Sequence, residues 1–207
     1  VNYIYARLLL YDKPLFSFID INPTELCNRT CEFCPRVDSD IYPNQDLHMD
    51  ISTAHKIREE LEELNWKGSI NICGNGEPLL HKDIVGLVRA FGDRIHVEIT
   101  TNGDFLRVDL IKDLYANHLD YMVISMYDGP EQVNYFDELF NKSNIDKSKY
   151  TLRDRWYRED EDYGLILTNR AGTFDWNRSM GISKQCFYMH YSIQIDWNRD
   201  VLFCVQD

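Results

Sequence analysis

The chain has 207 residues, with 22 basic and 34 acidic side chains and a formal net charge of −12. That length holds one ordinary domain, or one domain with a small appendage. The acid excess repels phosphate backbones and argues against a nucleic-acid partner; no stretch approaches the roughly 20 apolar residues of a membrane span, and the opening segment shows no secretory pattern, which points to the cytoplasm.

Short β-rich runs alternate with amphipathic helices along the chain. Residues 16–21 read as a first strand. Residues 51–64 put Ile51, Ala54, Ile57, Leu61 and Leu64 on one helical face, with Asp50 as the N-cap. Residues 69–73 form a second strand. A helix over 83–91 should end at Gly92, a glycine in the position that favours a left-handed turn. A third strand (95–100), a third helix (109–117), a fourth strand (121–125) and a fourth helix (131–141) follow. That last helix turns Val133, Phe136, Leu139 and Phe140 inward. Weaker strands are expected at 150–156 and 163–168, and a hairpin within the last segment, 186–207. Such alternation predicts an α/β fold with a parallel sheet and right-handed crossovers. Its functional groups should sit at the C-terminal ends of the strands.

The six cysteines are residues 27, 31, 34, 73, 186 and 204. Without a signal segment, a dense cluster reads as metal ligands rather than disulfides. Cys27, Cys31 and Cys34 have the spacing C-x3-C-x2-C. Three thiolates on a tight loop can ligate three irons of a cubane cluster and leave the fourth iron open. A structural zinc site, by contrast, normally closes its shell with four ligands. Cys73 reads as a small strand residue rather than a ligand. His81 reads as a helix-start residue rather than a base.

With Phe33 before the third cysteine, this loop resembles that of the radical S-adenosylmethionine superfamily. The resemblance implies a [4Fe–4S] cluster on Cys27, Cys31 and Cys34, with S-adenosylmethionine chelated by the open iron. Reductive cleavage of the cofactor would give a 5′-deoxyadenosyl radical that abstracts hydrogen from a substrate. Gly74, Asn75, Gly76, Glu77 and Pro78, after the second strand, resemble the family's Gly-Gly-Glu-Pro element. Glycines allow close approach and expose carbonyls, and Glu77 offers a negative partner for the methionine ammonium. Thr101 and Asn102, after the third strand, resemble its Thr-Asn-Gly element. Ser125, ending the fourth strand, matches a position that contacts ribose or carboxylate. Phe33 belongs with these cofactor-binding candidates.

Cys186 and Cys204 flank the C-terminal hairpin. Together with Asn169 to Gly172, they resemble the start of a SPASM or twitch extension, which carries an auxiliary [4Fe–4S] cluster. The expected architecture is a partial (β/α)6 TIM-like barrel over residues 1–180. A short C-terminal β-hairpin, the auxiliary-cluster extension, would occupy 181–207 and be incomplete at Asp207. The resemblance implies an oxidoreductase-type radical enzyme acting on a small polar substrate, with oxidation or epimerisation of a sugar or cyclitol favoured. Arg153 and Arg170 are candidate substrate contacts, and a flavodoxin or ferredoxin is the implied electron donor. Peptide or protein modification, or a non-catalytic iron–sulfur scaffold, are the alternatives.

Overall fold

The structure is a computed structural model and describes residues 9–10, 13–14, 16–31, 34–155 and 190–202. A two-residue antiparallel pair, β1 (Leu9–Leu10) and β2 (Lys13–Pro14), precedes the main sheet. Then come β3 (Phe18–Ile21), α1 (Ile51–Glu63), β4 (Ser69–Ile72), α2 (Ile84–Phe91) and β5 (His96–Thr101). They are followed by α3 (Val108–Ala116), β6 (Tyr121–Met126), α4 (Glu131–Lys142), β7 (Tyr150–Asp154), β8 (Ser192–Ile195) and β9 (Val201–Leu202). The sheet has seven strands in the order β7-β6-β5-β4-β3-β8-β9. All neighbours run parallel except the β8–β9 hairpin. Among the described residues the sheet does not close, so the expected partial barrel is what forms.

Strand alternation sorts the sheet into two faces. Ile19, Ile21, Ile70, Ile72, Val97, Ile99, Met122 and Ile124 are fully buried. They join Ala54, Leu87, Phe91, Ile111, Leu114, Phe136 and Phe140 of the helices in one core. The opposite face carries Asp20, Asn71, Thr100, Ser125, Arg153 and Gln194, residues a core would reject unless each is bonded. The parallel registers Asp20↔Asn71, Asp20↔Gln194 and Ser125↔Arg153 bring these polar groups side by side.

The hairpin expected in the last segment is present, and its first strand is a full member of the sheet. β8 pairs with β3 over Phe18↔Ser192 to Ile21↔Ile195. Asn22, just past β3, donates to Asp196, just past β8, at 2.5 Å.

Two helix-end expectations differ. Asp50 caps α1 without its carboxylate: its main-chain carbonyl accepts from the N–H of Thr53 at 2.9 Å. Leu64 falls at the C-cap and is 37% exposed, outside the buried stripe that ends at Leu61. Gly92 does end α2, with φ of +73°. The strand expected at 163–168 and the strand residue Trp156 lie outside the described residues.

Phe136 on α4 is 1% exposed and packs in the core beneath the loop that follows β5. A Cβ placed on Gly103 of that loop would lie 2.6 Å from the Phe136 ring. Phe136→Ala should lower unfolding stability by about 3–5 kcal/mol, as other large-to-small aromatic core changes do. A denaturant midpoint measured on the purified variant checks this value.

Candidate active site

The cysteine loop leaves the C-terminal end of β3. Asn44 braces its start from both sides: Cys27 N donates to Asn44 Oδ1 at 2.9 Å, and Asn44 Nδ2 donates to the Cys27 carbonyl at 3.2 Å. Cys34 N closes a turn on the Cys31 carbonyl at 2.9 Å. Burial and the neighbouring thiolates of Cys34 and Cys27 push Cys31 up to about 11. Burial, with the charges of Glu77 and Cys34 adding to it, also raises Cys27. Ionisation of Cys31 is thus disfavoured by both other thiols of the loop, and that of Cys27 by Cys34. A polycationic iron cluster removes that penalty, because a bound metal inverts the local pKa logic and takes thiolate ligands. The donor set therefore fits a cluster. Phe33 lies outside the described residues.

The glycine loop is pressed against the base of the cysteine loop. A Cβ on Gly76 would stand 1.8 Å from the Thr24 carbonyl oxygen, and one on Gly74 would stand 2.1 Å from Asn22 Oδ1. Both glycines are required by close packing. Arg36, 5% exposed, crosses beneath both loops. Its guanidinium donates to the Asn75 carbonyl, to the Glu25 carbonyl, to Asn44 Oδ1 at 3.2 Å and to Glu25 Oε2 at 3.3 Å. Pro78 is buried and opens a single 3-10 turn whose Leu79 N–H is capped by the Glu77 carboxylate.

Glu77, expected from the resemblance to meet the methionine ammonium, is tied into the protein by three hydrogen bonds. Its carboxylate is in the interior, 3% exposed. It accepts from Leu79 N at 3.0 Å, from Asn102 N at 2.8 Å and from the Thr101 hydroxyl. Glu77 thus joins the loop after β4 to the loop after β5. Asn102 is engaged too: its Nδ2 donates to Asn28 Oδ1 at 2.8 Å, and its Oδ1 accepts from Asp104 N at 2.9 Å. Glu77, Thr101 and Asn102, three of the cofactor-binding candidates, thus also fasten neighbouring loops to one another.

Ser125, 2% exposed, accepts from Arg153 Nη2 at 2.8 Å, so these two candidates do meet. Among the described residues, Arg153 Nε is buried with no hydrogen-bond partner, as is Gln194 Oε1. Beside them, Asn71 Nδ2 donates to Asp20 Oδ1 at 3.0 Å, and Thr100 donates to Asn71 Oδ1 at 3.0 Å. Cys73 joins this polar face rather than the cysteine loop, donating to Asp20 Oδ1 at 3.1 Å. His81 is a buried brace: Nε2 bonds the Met49 carbonyl at 2.8 Å and Nδ1 accepts from Asp83 N at 3.1 Å, which makes Nε2 the protonated nitrogen. Arg170, Cys186 and Cys204 lie outside the described residues. Sequence reasoning missed Arg29, Arg36, Asp104 and Asp128. The signal available was a charged residue inside or beside the cysteine motif.

The Radical SAM superfamily profile matches residues 21–154, from the end of β3 through β7. The chain belongs to the radical SAM superfamily. Membership implies a [4Fe–4S] cluster and S-adenosylmethionine. The chain is 30% identical over 166 residues to the S-adenosyl-L-methionine-dependent 2-deoxy-scyllo-inosamine dehydrogenase of Niallia circulans, covering 78% of this chain and 62% of that protein. It is 28% identical over 139 residues to the GTP 3',8-cyclase of Clostridium perfringens, covering 66% of this chain and 42% of the cyclase. The crystal structure of BtrN in complex with AdoMet and 2-DOIA superposes with a TM-score of 0.75 at 26% identity, over 93% of this chain and 74% of that one. The chain therefore spans less than two thirds of either curated relative's length. No helix among the described residues is long and apolar enough to cross a membrane.

Burial pushes Glu77 from 4.5 up to about 7. A carboxyl raised on folding binds more protons in the native state than in the unfolded one. Its contribution is therefore most favourable below the unfolded value and is lost as pH climbs to the folded one, a change of about 3 kcal/mol between roughly pH 4.5 and 7. In Glu77→Gln this slope should vanish. An amide NH2 would also oppose one of the three donors, a mismatch that costs about 1–3 kcal/mol. Urea midpoints of both proteins at pH 5 and pH 7.5 test the two effects together.

Proposed function

We propose that this radical SAM chain oxidises a secondary alcohol on a small hydroxylated ring, of the sugar or cyclitol kind. The observation that carries the reading is Arg153. It is a partly buried guanidinium on the polar face, tethered to Ser125 and left with a buried donor that no described residue fills. A buried N–H without a partner is costly, and a substrate oxygen is a fitting acceptor for it. Similarity to an aminocyclitol dehydrogenase over most of the chain supports the same substrate class.

When bound, the cluster and S-adenosylmethionine supply the hydrogen-atom acceptor. The chain's own residues then have three tasks. The main chain of Gly74 to Gly76 receives the methionine end of the cofactor, with Ser125 nearby for its ribose or carboxylate. Asp20, Asn71 and Thr100 present a bonded polar surface to ring hydroxyls. Arg153 holds the reacting oxygen and steadies the negative charge it gathers as the alcohol loses its proton. In sum, the carbinol carbon would give up a hydrogen atom to the cofactor-derived radical, the hydroxyl oxygen would give its proton to water, and the remaining electron would pass to the one-electron acceptor that the proposed auxiliary iron–sulfur cluster would supply. Cys186 and Cys204 are proposed ligands of an auxiliary cluster in the extension, and a flavodoxin or ferredoxin is the proposed donor. A cytoplasmic setting and a substrate other than nucleic acid fit the net charge of −12.

The test is anaerobic reconstitution with iron and sulfide, then dithionite, S-adenosylmethionine and ring-deuterated cyclitols and sugars. Deuterium should appear in 5′-deoxyadenosine. Arg153→Ala should lower kcat/KM for the substrate roughly tenfold to a hundredfold, the loss of one charge-assisted hydrogen bond. Slow cofactor cleavage without substrate should persist in that variant. Formation of 5′-deoxyadenosine with no deuterium from any hydroxylated ring would sink the substrate reading.

A further inference from the structure

Arg29 lies inside the cysteine motif, between Cys27 and Cys31, and is not a ligand. Its guanidinium grips two carboxylates at once. Nε and Nη2 donate to the two oxygens of Asp104, each at 2.6 Å. Nη1 and Nη2 donate to the two oxygens of Asp128, at 2.8 and 2.6 Å. The same guanidinium lies over the Tyr127 ring, 5.2 Å from its centroid. Asp104 belongs to the loop after β5, and Asp128 to the loop after β6. Both carboxylates are pre-set by other groups. Asp104 also accepts from Asn28 Nδ2 at 2.5 Å. Asp128 accepts from Gln132 Nε2 at 3.0 Å, and its N–H donates to Gln132 Oε1 at 3.0 Å.

A surface ion pair of this exposure contributes little to stability; Asp128 has 54% of its side chain open to solvent. Stability therefore does not account for two forked pairs converging on one residue. Geometry does. Planar fork-to-fork bonding fixes direction as well as distance, and it does so in a way that lysine cannot copy. The three anchored loops carry Cys27 and Cys31, then Asn102, then the end of the strand bearing Ser125. They are the pieces that must hold one relative position for cluster and cofactor to meet.

We propose that Arg29 is a positioning residue: by clamping Asp104 and Asp128 it holds the cysteine loop at a fixed distance and angle from the ends of β5 and β6, so that S-adenosylmethionine seated there meets the cluster in a single orientation. The inference stands on the family assignment and not on the choice of substrate.

The experiment uses reconstituted wild type, Arg29→Lys, Arg29→Gln, Asp128→Asn and the double variant Arg29→Gln/Asp128→Asn. Four quantities are read: iron and sulfide per chain, thermal midpoint, S-adenosylmethionine affinity by equilibrium binding, and the EPR spectrum of the reduced cluster with and without the cofactor. The clamp predicts iron content and midpoint near wild type in Arg29→Lys. It also predicts cofactor affinity weakened about tenfold, and a broadened or heterogeneous cofactor-induced EPR shift. Asp128→Asn should behave likewise, and the double variant should be no worse than Arg29→Gln, since groups acting through one interaction are not additive. Two outcomes overturn the proposal. One is a lysine variant that binds the cofactor and shifts the EPR signal as wild type does. The other is loss of iron in every variant in step with a lowered midpoint, which would make Arg29 a plain structural support of the loop.

Discussion

Glu77 is nearly sealed from solvent and receives hydrogen bonds from its own loop and from the loop beyond the next strand. Most of the site's geometry hangs on that buried carboxyl group. Its burial is unfavourable for the charged form, as its raised pKa shows, and only the three donors make it tolerable. Once in place, it fixes the spacing of the strand ends β4 and β5. Arg36 does the matching work on the other side, a buried cation holding the glycine loop to the cysteine loop through main-chain carbonyls. Between them, these two side chains set three loops in register.

The sheet divides stability from chemistry by face. Isoleucine, valine and methionine of β3 to β6 are wholly buried under the helices. The other face carries Asp20, Asn71, Thr100, Ser125 and Arg153, linked pairwise by hydrogen bonds of 2.8–3.0 Å. A single strand such as Phe18-Ile19-Asp20-Ile21 serves both purposes because successive side chains point to opposite faces. Asp20 and Ser125 on that face are each only 2% exposed, and the mutual bonds of these polar groups both satisfy and orient them.

Much of this was legible in the sequence because it is local. Alternation and helical periodicity located β3 to β7 and α1 to α4 to within a residue or two. The cysteine spacing and the glycine loop announced the chemistry. Contact partners were not legible. Asp50 has the right residue type for a side-chain cap, yet its carbonyl does the work. Glu77 looks like a ligand for an ammonium, and its carboxylate also has partners 24 and 25 positions away in the next loop. Arg29 finds Asp128 across 99 positions. Four residues, Ser192 to Ile195, say strand, but nothing in them says that the partner is β3, 174 positions earlier. Local pattern encodes which face a side chain takes; the fold alone decides what waits there.

That pairing of β8 with β3 changes how the C-terminal hairpin should be understood. Asn22 stands at the exit of β3, and its amide nitrogen serves two carboxylates: Glu25 at 3.1 Å and Asp196 at 2.5 Å. Burial raises the pKa of both acids. Glu25 in turn bonds Arg36 and the Tyr42 hydroxyl, at 3.3 and 3.0 Å. A continuous polar path therefore runs from the hairpin through Asn22, Glu25 and Arg36 to the carbonyl of Asn75 in the glycine loop. A shift of the hairpin would take the half-buried Asp196 away from its Asn22 donor, at the cost of that hydrogen bond. The described hairpin is thus coupled to the barrel by this hydrogen bond as well as by strand pairing, and the loop that receives the cofactor is held from both ends of the chain.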